Sequence, residues 1–437
     1  MIGLLPVAIL GTPDGVVRIA ATEGYSDEVD QTQAGPNAPV VRHPAPYTGG
    51  DVMLELHDVE ERSDHDLRIE GRGQHYEPLD GYHVTDDGTL NVGFTNGWKA
   101  THVDTLRLNA FATLTKFNTA RLTDAVVYQF DPTQLDSTFT LIDLSAGLIH
   151  EFSPTWRMTE TVNYAESYTF SEPAIALTNG QLLHHRGLDY VQPVSVTEVL
   201  HDWDPRNLGE LRFVYQYTYA PVVYDVVNNA AVNVGPVSTE IGTLTLGEGH
   251  QFTEALRTFS RFGATVAGSL GPDRPVLGPS VDQEIWYVKP DWSAHAALGY
   301  AYASFIPRFG AGPTFTADAS LLGAPFPGAL RNLSLLLTVR GSYASLSTAL
   351  AVNSEVPGPV RVSSTLDGIG ASAQVRFALN PLVGVLAGYD LHYATFAGGT
   401  EFPPLLRNTV YLGVQAFLSS DRSLPALTTF VPAVPQQ

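Results

Sequence analysis

In the stretch 369–396, IGASAQVRFALNPLVGVLAGYDLHYATF, apolar side chains fall on alternate positions. The odd positions carry Ile369, Ala371, Ala373, Val375, Phe377 and Leu379, then Val383, Val385, Ala387, Tyr389, Leu391 and Tyr393. The even positions carry Ser372, Gln374, Arg376, Asn380, Asp390 and His392. Successive side chains of a strand point to opposite faces, so this period of two predicts strands with one apolar and one polar face. Asn380-Pro381 stands at the break, and proline presets φ for position i+1 of a turn. The stretch therefore predicts a hairpin.

The same pattern recurs along the chain. Ile142, Leu144, Ala146, Leu148 and Phe152 oppose Asp143, Ser145, Gly147 and Glu151. After Ser153-Pro154, Trp156, Met158, Val162, Tyr164, Tyr168 and Phe170 alternate with Arg157, Thr159, Thr161, Asn163 and Ser167. Leu211, Phe213, Tyr215, Tyr217 and Tyr219 follow a turn at Asp204-Pro205. Ala294 to Tyr302, Leu333 to Tyr343 and Val410 to Leu418 repeat the alternation. Several of these segments run roughly 10 to 15 residues, longer than the roughly 5–6 of ordinary strands and enough for the roughly 9–11 of a tilted membrane strand.

The connections alternate too. Short turns are expected near Asp64, Trp98, Ser153, Asp204, Glu254, Pro290, Pro325 to Pro327 and Asn380. Long polar or Gly/Pro-rich stretches lie between them, at 26–50, 118–136, 171–190, 221–240, 271–281, 306–314, 347–363 and 397–404. With a first strand at Val16 to Tyr25 and a last one at Leu405 to Leu418, the count is about 18, with 14 to 16 as the alternative. The expected fold is all-β: a transmembrane antiparallel β-barrel over 15–419, with short periplasmic turns and long extracellular loops. Segment 1–14 is read as an N-terminal piece, a candidate signal-peptide remnant, and 420–437 as a Pro-rich periplasmic tail.

Composition narrows the partners. Charged residues are 16% of the chain, below the roughly 25% usual in soluble proteins. Hydrophobic residues are 44% and mean hydropathy is +0.01, yet no apolar run approaches the ~20 residues of a membrane helix. A barrel hides its hydrophobicity in alternation, and the bilayer is then its partner. A net charge of −21 excludes nucleic acid, which needs clustered Lys and Arg. Cysteine is absent, so thiol chemistry is excluded.

The candidate site is the polar face. Arg107, Arg157, Arg212, Arg261, Arg340, Arg376, Asp390, His392, Arg407 and Tyr411 are the expected pore-lining residues. Arg68 and Arg72 share the phase, as do Glu70, Glu151 and Glu210. The alternative for these charges is cross-strand Arg–carboxylate pairing that holds the wall together. No metal is expected at the adjacent His184 and His185, or at Asp58, Glu60, Glu61, Asp64, His65 and Asp66, which read as a solvated turn. G-x-S-x-G, H-E-x-x-H and phosphate-loop signatures are absent, so no enzyme and no cofactor is expected. His150, His201, His295 and His392 are the histidines an assembled Ser–His pair would draw on.

LSAGLIHEFSPTWRMTETVNYAESYTF (144–170) and LRNTVYLGVQAFL (406–418) resemble outer-membrane β-barrel porins encoded with bacterial exopolysaccharide export systems. The resemblance is one of style and runs through most of 51–418. It implies a wide barrel in a Gram-negative outer membrane, passing a secreted polysaccharide beside a periplasmic export protein. The chain departs in its tail: Phe417 is internal, where many barrels end on an aromatic residue. The function expected is a passive conduit for a polysaccharide or other polar solute. The alternatives are a non-transporting scaffold or adhesin that binds through its long loops, and a soluble all-β protein.

Overall fold

The computed structural model describes residues 14–33, 40–77, 79, 86–117, 137–171, 174–176, 182–184, 189–221, 224–227, 230–233, 237–269, 275–303, 312–325, 332–350, 360–380, 382–397 and 405–419. Segments 1–13 and 420–437 lie outside them.

Eighteen strands form one antiparallel sheet that closes on itself. In chain order they begin with β1 (Asp14–Gln33), β2 (Val40–Val59), β3 (Ser63–Tyr76), β4 (Asp87–Lys99) and β5 (Asp104–Phe117). Next come β6 (Ser137–Ser153) and β7 (Trp156–Ser171), and then a small hairpin of β8 (Ala174–Ala176) and β9 (Leu182–His184). The wall resumes with β10 (Tyr190–Asp204) and β11 (Asn207–Ala220). A second small hairpin pairs β12 (Tyr224–Val227) with β13 (Ala230–Asn233). The remaining wall strands are β14 (Val237–Gln251), β15 (Leu256–Ser269), β16 (Val276–Lys289), β17 (Trp292–Ala303), β18 (Gly312–Gly323), β19 (Leu333–Leu350), β20 (Val360–Ala378), β21 (Val383–Ala397) and β22 (Leu405–Ser419). Each pairs with its neighbours in sequence, and β1 pairs with β22 to close the ring.

Burial is inverted relative to a soluble protein. Leu412, Leu246 and Val414 are 65%, 66% and 54% exposed, whereas Thr265, Gln415 and Thr218 are 0%, 1% and 1% exposed. Antiparallel partners share a face, so the register carries this division around the ring. Leu412 faces outward with Glu23 and Ala387, and Gln415 faces inward with Ala20 and Gly384. Outward polar groups bond to one another: Ser260 Oγ donates to Gln283 Oε1 at 2.5 Å across β15 and β16.

The tight turns fall where the sequence expects them, apart from the one expected at Pro325 to Pro327, most of which lies outside the described residues. Five of them use one device, a side-chain oxygen that accepts backbone N–H groups two and three residues on, or their side-chain equivalent. Thr101 Oγ1 takes Val103 and Asp104 N–H at 3.2 and 3.0 Å. Ser153 Oγ takes Thr155 and Trp156 at 3.3 and 3.1 Å. Thr253 Oγ1 takes Ala255 and Leu256 at 3.2 and 3.0 Å. Asn380 Oδ1 takes Leu382 and Val383 at 2.8 and 2.9 Å. Asp204 takes Arg206 N–H at 2.7 Å and the Asn207 side-chain amide at 2.6 Å.

The opposite end departs from expectation in places. The expected long stretch 26–50 is mostly strand: β1 continues to Gln33 and β2 starts at Val40, beyond a register shift between Ser26 and Asp30. Likewise β19 and β20 stay paired to Leu350 and Val360. These extensions overrun the length an apolar layer needs, so no hydrophobic alternation marks them. Pro279 looked like loop but pairs with Ala264 inside β16. The connection between β3 and β4, at 77–86, is a long one that its sequence did not reveal.

An aromatic repeat marks the tight-turn end. His-x-aromatic closes β6, β10 and β14 as His150/Phe152, His201/Trp203 and His250/Phe252. The rings meet edge-to-face at 4.5, 4.3 and 4.4 Å. Trp156 also stacks on His201 at 4.1 Å. Phe152, Trp203 and Phe252 are 60%, 68% and 54% exposed, as an interfacial girdle requires.

Candidate functional site

The interior wall carries the charged side chains, and they divide into three sectors. The first runs from β10 to β18. Arg261 on β15 is its hub: Nε donates to Glu210 Oε2 at 2.7 Å, and Nη1 donates to Asp282 at 2.8 Å and Glu284 at 3.1 Å. Register explains the gathering, because Arg261 lies opposite Gly247 on β14 and Asp282 on β16. Gly247 leaves the space that Glu210 crosses from β11; a Cβ there would lie 2.6 Å from Glu210 Oε2. Glu284 and Asp318 flank His295 at 3.6 and 3.3 Å. Arg212 pairs with Glu198 at 2.9 Å. This sector is rich in carboxylates.

The second sector surrounds the seam, from β19 through β22 to β3. Arg18 donates to Asp51 at 2.6 Å and Glu70 at 3.1 Å. Glu70 also accepts from Arg68 at 3.0 Å and lies 3.6 Å from Arg72. Arg376 stacks on Phe417 at 4.3 Å, and Arg407 donates to Ser26 at 3.0 Å and Tyr76 at 3.4 Å. Both arginines are 4% exposed, so they are packed into the wall. Asp390 and Tyr411 line a cavity of ≈ 210 Å³ with Tyr47, Arg72, Gln74 and Gln374. His392 lies opposite Arg407 in register, and Arg340 opposite Asp318.

The third sector, β4 to β7, is the open one. Arg107 and Arg157 are exposed on the inward face, with Phe111 at 40% exposure. Phe111 lies opposite Asp143.

The ten expected lining residues therefore share the inward face but not one site. Six stand on β19 to β22, two on β11 and β15, and two on β5 and β7. Cross-strand Arg–carboxylate pairing, the alternative expected for these charges, is present at Arg18, Arg212 and Arg261, while Arg68 pairs with Glu70 within β3. Arg18, Asp51, Glu198, Asp282, Glu284 and Asp318 were not singled out from the sequence. The even-position run Asp282, Glu284, Trp286 was the available signal, blurred by the polar Gln283 on the other face. His150 and His201 lie on the outer face at the tight-turn end, far from the interior His295 and His392. The acidic run from Asp58 forms the β2–β3 turn, where Glu60 N–H donates to Ser63 O at 2.7 Å. His185 lies outside the described residues; His184 ends β9.

No protein-family model and no curated protein matches the chain. Similar solved structures include the FrpB iron transporter from Neisseria meningitidis (F5-1 variant), at 9% identity and TM-score 0.47, covering 94% of this chain and 83% of that one. The siderophore receptor PirA from Acinetobacter baumannii aligns at 6% identity and TM-score 0.43, covering 92% and 80%. Pseudomonas aeruginosa OpdO aligns at 10% and 0.40, covering 94% and 98%. With values this low, the assignment of an 18-strand transmembrane β-barrel stands on the strand pairing and burial of the chain itself.

Proposed function

We propose that this protein is a passive channel for polar solutes in the outer membrane of a Gram-negative bacterium. The observation that carries this is the inversion of burial across a closed sheet: exposed Leu, Val and aromatic side chains outside, Arg, carboxylate and amide side chains inside. Hydrocarbon leaves no partner for an unpaired backbone group, and a closed barrel pairs them all. The alternation of tight turns and long loops then puts the tight turns and both barrel termini in the periplasm. Barrels of 16–18 strands are wide enough for an aqueous lumen. Every described strand lies in the wall or in the two loop hairpins, and none crosses the interior.

The narrower cargo is a saccharide, with a periplasmic export protein as partner. Its support is the mixed character of the lining: an interior with both charge signs and tyrosines suits uncharged hydroxylated solutes better than ions of one sign. Arg107, Arg157, Arg340, Asp390, His392 and Tyr411 are the proposed lining residues, with Arg212 and Arg261 bracing the wall beside them.

Single-channel conductance of the detergent-purified, refolded protein in a planar bilayer tests the channel. Large steady current steps are expected. Protein that inserts and never conducts overturns it and favours the adhesin, for which the β8–β9 and β12–β13 hairpins in the long loops are the supporting feature.

A further inference from the structure

The seam cavity has the chemistry of a ligand site. It lies on the inner wall between β1–β3 and β20–β22 and encloses ≈ 210 Å³. That is smaller than the roughly 300–1,000 Å³ of sites for drug-sized ligands, and it suits one small ring unit. Its lining is mixed in sign: Arg18 and Arg72 face it together with Asp51 and Asp390. An anion would meet the carboxylates and a cation the guanidiniums. A hydroxyl both donates and accepts, so it can use all four, and the amides of Gln74, Gln374 and Gln415 as well. Arg72 keeps 48% of its side chain exposed, so its donors reach the cavity.

Tyr411 supplies flat apolar surface, and Tyr47, 5% exposed, packs against it. Tyr411 lies opposite Gly388 on β21 and Gly24 on β1, and Tyr47 lies opposite Gly24 from the other side. A Cβ at Gly388 would stand 2.2 Å from Tyr411 Cζ, and one at Gly24 2.6 Å from the Tyr47 ring. The glycines therefore let both rings lie along the wall instead of projecting across the lumen. Tyr47 packs on Tyr76 with centroids 5.9 Å apart, and Tyr411 packs against that pair. Gln374 Nε2 donates to the Tyr411 hydroxyl at 3.4 Å, which ties the ring to the polar rim.

We propose that this cavity is a binding subsite for one uncharged sugar ring of a saccharide moving through the barrel, with Tyr411 as the stacking surface and Arg72, Asp390 and Gln74 as hydroxyl partners. The subsite rests on the channel assignment for its role in passage, though not for binding itself.

The test is current blockade by maltohexaose, with polyethylene glycol of equal mass as the size control. Resolved, concentration-dependent blockades by the sugar and none of comparable duration by the polymer are expected. Asp390→Asn and Tyr411→Ala should each shorten the blockade at least tenfold. Gly388→Ala, which drives the ring off the wall without removing any recognition group, should do the same and serves if Tyr411→Ala fails to assemble. Sugar and polymer behaving alike, or blockades indifferent to all three variants, overturn the subsite while leaving the channel. Saturation-transfer NMR with maltohexaose in detergent separates the two claims: binding that is lost in Asp390→Asn, in protein that never conducts, supports the subsite and overturns the channel.

Discussion

Replacing Arg261 by Met keeps an unbranched apolar stem and removes the charge. The arginine is hydrogen-bonded to three carboxylates, on β11 and β16. Their exposures decide how much each counts. Asp282 keeps 33% of its side chain in contact with solvent, so water offsets much of its loss. Glu284 keeps 22%. Glu210 keeps 3%, and it has nowhere to turn. Removing one partner of a buried pair costs about 3–5 kcal/mol, because the remaining charge stays desolvated. Since Arg261 keeps 20% of its side chain exposed, the lower figure is expected: about 3 kcal/mol, or roughly two orders of magnitude in the folding equilibrium. The assay is urea unfolding of the lipid-inserted barrel, followed by tryptophan fluorescence. Glu210→Gln added to Arg261→Met should recover more than half of the loss, and the double-mutant cycle isolates the coupling. If Arg261→Met stays within ~0.5 kcal/mol of the parent, water reaches Glu210 and the wall is not braced there.

Four further outcomes follow from the geometry. Gly24→Ala puts a Cβ 2.5 Å from the Val410 carbonyl oxygen, so the seam should fail to close and the heat-resistant band on a gel should vanish. Gly242→Ala meets nothing within 4 Å and should leave stability within roughly 0.5 kcal/mol. Val414→Arg, on the outer face at 54% exposure, should cost about 2–4 kcal/mol of insertion into vesicles; an unaffected variant would mean that this face never meets lipid. Arg107→Gln with Arg157→Gln removes two exposed inward cations, so the reversal potential in a salt gradient should move toward cation selectivity, and an unmoved potential would place both outside the conducting path.

The wall was legible because its physics is local. One face meets hydrocarbon and the other water, so a period of two persists through strands such as Val410 to Leu418, and Ser153-Pro154 or Asn380-Pro381 marks each return. Legibility ends where that contrast ends. Gln31 and Val41 belong to a backbone pairing that extends beyond the apolar layer, where the sequence keeps no period of two. The interior partners were hidden for another reason. Parity places Arg261 and Glu210 on the same side, but their meeting depends on the empty space at Gly247, a residue that looks unremarkable in LTLGEGHQ. Arg376 and Arg407 show the converse. Parity sends both inward, yet Phe417 and Tyr76 take them up within the wall layer.

Closing a barrel poses a problem that alternation cannot solve. A slip of one residue would turn every side chain to the wrong face, so burial forbids it. A slip of two keeps every face correct and leaves the hydrophobic pattern satisfied. Something specific must then fix β22 against β1. Asn408 does so on one face, bonding Asp27 through its backbone N–H and its side-chain amide, each at 2.6 Å, while Tyr389 donates to its carbonyl at 2.6 Å. On the inner face Arg407 reaches Ser26, and Tyr411 finds a glycine on either side. Shifted by two, Tyr411 would face Thr22 or Ser26 instead of Gly24, and the flat seat for its ring would be gone. Of these residues, Tyr411 also lines the seam cavity. Its seating serves both ends: a ring held flat by Gly24 and Gly388 is already placed, at no further entropic cost, to receive a ligand.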